Sequence, residues 1–208
     1  MTPTDLSPAE ARVLGVLVEK QRSVPDAYPL TLNALVAGCN QKTSRDPVMA
    51  LAERDVLEAL DALKHRSLVV ETSGGRVMRY AHNAERALEL PSQSVAILAA
   101  LLLRGPQTAA ELRINTDRMH RFADISAVEG FLHELAARAG GALVTELPRT
   151  AGTRETRWAQ LLGGPPSAST GARVERTDDV RGWQVEIAAL RAELADLRAR
   201  IDVLEARR

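Results

Sequence analysis

Apolar residues fall at helical spacing almost from the start of the chain. Ser7-Pro8-Ala9-Glu10 supplies a capping serine, a proline at the first helical position and a glutamate three residues after the serine. Val13, Leu14, Leu17 and Val18 then share one face, and Pro25 and Pro29 end the helix. "LTLNALVAGCN" predicts a short second helix with Leu32, Leu35 and Val36 inward. A third helix runs from about Glu53 to His65, with Val56, Leu60 and Leu63 on one face. In "LVVETSGGRVMRYAH" the period changes from helical to alternating, and Ser73-Gly74-Gly75 marks the tip of a β-hairpin.

The same order returns. "SQSVAILAALLL" repeats the first helix, with Ile97, Leu98 and Leu101 in the places of Val13, Leu14 and Leu17. "PQTAAELRI" repeats "PLTLNALVA", and "ISAVEGFLHELAARA" sets Val128, Leu132 and Leu135 at the spacing of Val56, Leu60 and Leu63. "LVTELPRTAGTRETRWAQLL" repeats the hairpin with a longer tip, so that Arg157-Trp158-Ala159 echoes Arg79-Tyr80-Ala81. Such self-similarity points to a duplication. Three helices followed by a hairpin is the order of a winged helix, whose third helix usually reads the groove of DNA. The expected fold is therefore mainly α with small β-hairpins: a winged-helix domain over 1–90, a second over 91–162, and each closed around its own interior.

"GGPPSASTGAR" reads as flexible linker, assigned to 163–175, and a heptad helix is expected over 176–208. Val180, Ile187, Leu194 and Ile201 fall at a, while Trp183, Leu190, Leu197 and Leu204 fall at d. Branched residues at a with leucine at d favour a parallel dimer. The flanking pairs Glu186 with Arg191, Glu193 with Arg198 and Arg200 with Glu205 are all opposite in sign. A homodimer through this helix is expected, against docking on the chain's own body or on another protein.

Composition narrows the function classes. The chain has 27 basic and 27 acidic residues, and no segment carries the positive excess of a dedicated phosphate-binding domain. Aromatic residues are 3%, so aliphatic side chains must build the core. The single cysteine, Cys39, excludes an internal disulfide and a thiolate metal cluster, and reads as a small buried thiol. The first residues lack a secretory pattern, and the longest apolar stretch, Val95 to Leu103, is too short to span a bilayer. A cytoplasmic chain without membrane contact is expected.

"EARVLGVLVEKQ", "YPLTLNALVAGCNQKTSRDPVM", "RMHRFAD" and "PRTAGTRETRWAQLL" resemble, nearly word for word, the YceH-like family of uncharacterised bacterial proteins. The resemblance covers roughly residues 6 to 162 and implies a tandem winged-helix fold with no established activity. One departure is that Ala52 stands where relatives tend to carry a serine cap for the third helix.

No nucleophile elbow, glycine-rich phosphate loop or zinc-protease motif is present, and His65, His82, His120 and His133 are spaced unsuitably for a metal. The chain is read as non-enzymatic, with no cofactor or metal. Opposite the apolar stripe of the first third helix lie Arg54, Glu58, Asp61 and His65; opposite the second lie Ser126, Gly130, His133 and Ala137. Neither face carries the donors of a base reader. Cations gather in loops and hairpins instead: Lys42 and Arg45, then Arg113, Arg118 and Arg121, with Arg76 and Arg79 on one hairpin and Arg149, Arg154 and Arg157 on the other. Two roles follow. One is weak, non-specific DNA association through phosphates, as in a transcription regulator. The other is a scaffold for a protein partner, resembling tandem winged-helix subunits of condensin-type assemblies. The competing reading of these cations is that they are solvated or pair with Asp46, Asp117, Asp124 and Glu155.

Overall fold

A computed structural model of the chain describes residues 5–73, 77–149 and 155–165. The heptad positions from Val180 to Leu204, together with Arg76 and Arg154, lie outside the described residues.

The first helix, α1 (Pro8–Ser23), begins as its sequence dictates: Ser7 Oγ accepts from the Glu10 amide at 3.2 Å, and the Glu10 carboxylate accepts from the Ser7 amide at 3.3 Å. Then come β1 (Leu30–Thr31), α2 (Leu32–Cys39), α3 (Glu53–His65), β2 (Val69–Ser73) and β3 (Met78–His82). These strands form an antiparallel sheet in the order β1-β3-β2, with Leu30 opposite Tyr80 and Val69 opposite His82. A short α4 (Ala84–Leu88), which apolar spacing does not announce, buries Ala84 and Leu88.

The order then recurs as α5 (Ser92–Arg104), α6 (Ala109–Asn115), α7 (Ile125–Ala136), β4 (Val144–Glu146) and β5 (Trp158–Gln160). In place of a first strand there is a single bridge, Gln107 opposite Trp158. Mainly helical architecture with two small antiparallel sheets is thus as expected.

The expectation of two separate interiors is corrected. Every residue of α1 from Ala11 to Val18 and of α5 from Ser94 to Leu103 is buried, because each helix packs on its own half with one side and on the other helix with the opposite side. A helix apolar on all sides is a central one, and a one-sided stripe understates it. Gly15 permits the approach: a Cβ there would stand 2.9 Å from Leu103 Cγ. Hydrogen bonds also cross between the halves, among them Asp46 N to Leu103 O at 2.8 Å, Leu6 N to Leu162 O at 2.7 Å, and Arg138 Nη2 to Leu88 O at 2.7 Å. One continuous aliphatic core results.

Candidate functional site

The segment "CNQKTSRDPVM" after α2 is built almost entirely of internal bonds. Asn40 holds Leu51 from both sides: its amide nitrogen donates to the Leu51 carbonyl at 2.9 Å and its oxygen accepts from the Leu51 amide at 2.8 Å. Arg45 is only 4% exposed and reaches back to α1, where Nη1 and Nη2 donate to the two Glu19 carboxylate oxygens at 3.2 and 2.6 Å. Its remaining donors serve Gly38 O, Ser44 O and Gln41 Oε1. Such a buried, fully bonded guanidinium is held in place by the loss that follows when one partner goes. From α1 itself, Arg12 donates to Cys39 O at 3.0 Å and Pro47 O at 2.6 Å, so it closes the loop at both ends. Gly38 lets α2 sit on α1, since a Cβ there would lie 2.7 Å from Val16 Cγ1.

Arg45 is therefore corrected from a phosphate-contacting candidate to a rivet of the fold. Lys42 stands exposed on the same loop, with no bonded partner among the described residues.

Two half-buried hairpin cations also tie the fold together. Arg79 Nη1 donates to Pro29 O at 2.8 Å, and Arg157 donates to Pro106 O through Nε at 3.1 Å and Nη2 at 2.6 Å. Both tie a hairpin to the proline carbonyl just before the strand or bridge it pairs with, which is the physical content of the Arg-Tyr-Ala and Arg-Trp-Ala echo. Arg157 also pairs with Glu111 at 2.9 Å. Arg149 is exposed.

Arg113, exposed on α6, donates to Ala123 O in the 116–124 loop at 3.2 Å, and in that loop Arg121 lies 3.9 Å from Asp117 at the surface. Arg118 is exposed. Five candidates thus face solvent: Lys42, Arg113, Arg118, Arg121 and Arg149.

The outward faces of α3 and α7 carry little for a base edge. On α3, Arg54 stands 4.0 Å from Glu58 and 3.7 Å from Asp55, and Asp61 lies 3.3 Å from Lys64. Leu57 is exposed beside them. On α7 the exposed residues include Ile125, Ser126, Glu129, Gly130 and His133. Further large apolar side chains reach solvent at Val70, Val77 and Met78 of the first hairpin and at Ile114, which is 72% exposed.

Cys39 and His82 are both buried. Burial pushes the Cys39 thiol up to about 12, against a smaller opposing pull from Arg12 and Arg45, so it stays protonated. His82 is buried with Nε2 at 2.8 Å from Gln21 Oε1, while Nδ1 accepts from the Ala84 amide at 3.3 Å. Burial draws its imidazole down to about 4. No group of three His, Cys, Asp or Glu able to hold a metal occurs among the described residues, and no helix there is long and apolar enough to cross a membrane.

Arg12 is the residue that periodicity missed. Its one signal is a lone charge inside "ARVLGVLV", a run otherwise apolar enough to be buried on every side.

Comparison with known proteins matches residues 6–153 to the family model described as a protein of unknown function, DUF480. A UPF0502 protein of Dechloromonas aromatica is 56% identical over 198 residues, covering 93% of both chains. UPF0502 proteins of Methylibium petroleiphilum and Cupriavidus necator are 58% and 59% identical, covering 94% and 93% of this chain and 84% and 77% of theirs. The chain is a member of the DUF480 family, in which these relatives carry the name UPF0502.

Proposed function

We propose that this protein is a non-enzymatic tandem winged-helix platform that binds a protein partner through the outward faces of its third helices and first hairpin. The winged-helix reading is supported by the order helix, strand, helix, helix, hairpin, with a three-stranded sheet in the first half and a bridge completing the second. The observation that carries the partner reading is the character of the α3 and α7 faces. Glu58 and Asp61 would meet phosphates with like charge; Leu57 is exposed on the same helix, Ile125 on α7, and Val70, Val77 and Met78 on the first hairpin.

Site-specific photo-crosslinking in cells tests it, with the reactive side chain placed at Leu57 or Met78 and, as a control, at Thr43. One discrete protein adduct from Leu57 and Met78, absent from Thr43, is expected. Adducts to nucleic acid alone would overturn it.

A second reading keeps the DNA-associated role. Lys42, Arg113, Arg118, Arg121 and Arg149 are the exposed cations left for it, and they would grip backbone phosphates with little sequence preference.

A further inference from the structure

A cleft of about 400 Å³ opens between the start of α1, the 46–49 loop, the end of α5 and the strand β5. Its wall is mostly apolar, from Leu6, Pro47, Met49, Leu101 and Leu102. Arg12 belongs to the same wall.

Arg12 is 1% exposed, and its Nε has no hydrogen-bond partner among the described residues. Its other bonded nitrogens meet only neutral acceptors, the carbonyls of Cys39 and Pro47. No described carboxylate pairs with it: Glu19 is engaged bidentately by Arg45, whose own charge acts against Arg12. Asp46 favours the charged form only at a distance, from an exposed place on the rim. A buried cation without a counter-ion, beside an apolar cleft of ligand size, is half of a recognition site.

We propose that this cleft binds a small carboxylic acid with an apolar body, its carboxylate set against Arg12 and its chain along Leu101, Leu102 and Met49. The carboxylate supplies the missing counter-charge for Arg12, and the apolar wall takes the hydrocarbon. The site draws on both halves of the fold and does not depend on which macromolecule the third helices meet.

Calorimetric titration of the full chain with octanoate, octanol and octylamine tests the proposal. Octanoate is expected to saturate one site, with octanol weaker by about tenfold, the worth of a charged hydrogen bond. Asp46→Asn removes the competing carboxylate while keeping the backbone bond to Leu103, and is expected to tighten octanoate binding several-fold. Met49→Trp fills the cleft without touching Arg12 and is expected to abolish binding, with an unchanged far-UV spectrum showing that the fold persists. No heat with octanoate, equal affinity for octanol, tighter binding of octylamine, or full affinity in Met49→Trp would each overturn it. Weaker octanoate binding by Asp46→Asn would do the same.

Discussion

Arg45 and Glu19 form a two-pronged ion pair, at 3.2 and 2.6 Å, that fastens the loop after α2 to the central helix α1. The guanidinium is fully buried and the carboxylate mostly so. Removing Arg45 leaves Glu19 without its strongest partner, and the reverse substitution leaves a cation in the core. Glu19→Leu or Arg45→Met alone is expected to lower unfolding free energy by roughly 3–5 kcal/mol. Glu19→Leu with Arg45→Met is expected to cost well below the sum of the singles, because neither partner is then left uncompensated. Urea denaturation of the four chains measures this, and strict additivity would contradict it.

Glycine positions give a paired test of the seam between halves. At Gly15 a Cβ would press on Leu103 Cγ at 2.9 Å, and Gly15→Ala is expected to destabilise by roughly 1–3 kcal/mol. At Gly130, in the middle of α7, a Cβ meets nothing within 4 Å. Gly130→Ala is expected to stabilise by roughly 0.5–1 kcal/mol through helix propensity. Thermal melts that move both variants in the same direction would argue against the α1–α5 contact.

His82 links stability to pH. Burial lowers its folded value to about 4 from 6.5, with Glu85 opposing and Arg22 adding to the effect. The neutral ring is also what its bonds require, since Nδ1 accepts from the Ala84 amide and Nε2 meets Gln21 Oε1. The folded state thus disfavours the extra proton that the unfolded chain takes up readily. This contribution is complete above pH 6.5 and is lost as pH falls toward about 4, a change on the order of 3 kcal/mol. Comparing His82→Gln with the wild type across that window isolates it from the carboxylates. The variant is expected to be less stable at neutral pH and to show the shallower acid slope.

The heptad pattern from Val180 to Leu204 carries its own expectation. Light scattering should give a dimer for the full chain and a monomer for residues 1–165. Monomers in both would assign the heptad stripe to some other surface.

Helix order, the hairpins and most buried aliphatic positions were legible in the sequence, because they follow from a period of about 3.6 or 2 that a single stretch displays. Val56, Leu60 and Leu63 on α3 show this directly: all three are buried, as their spacing requires. The α1–α5 seam was not legible. Whether Gly15 faces a second helix depends on Leu102 and Leu103, roughly 90 positions away, and local periodicity does not register them. The same holds for the arginines. "QKTSRDP" looks like a solvated basic loop until Glu19, about one helical turn into α1's far half, is seen to take both prongs of Arg45. In the same way, Arg79 and Arg157 look like free hairpin charges until the carbonyls of Pro29 and Pro106 are found beneath them. Lys42, with no acceptor in reach of its loop, is exposed as its sequence context suggests.

Fluorescence anisotropy of a random DNA duplex against the full chain, read from low to moderate salt, bears most directly on the proposed role. With Arg45 buried, Arg79 and Arg157 bonded to backbone carbonyls, and acids on α3, no saturable binding is expected even at low salt. Tight binding that falls steeply as salt rises, and that drops when Lys42, Arg113 and Arg118 are replaced by alanine, would contradict the protein-partner account and establish the phosphate-gripping one.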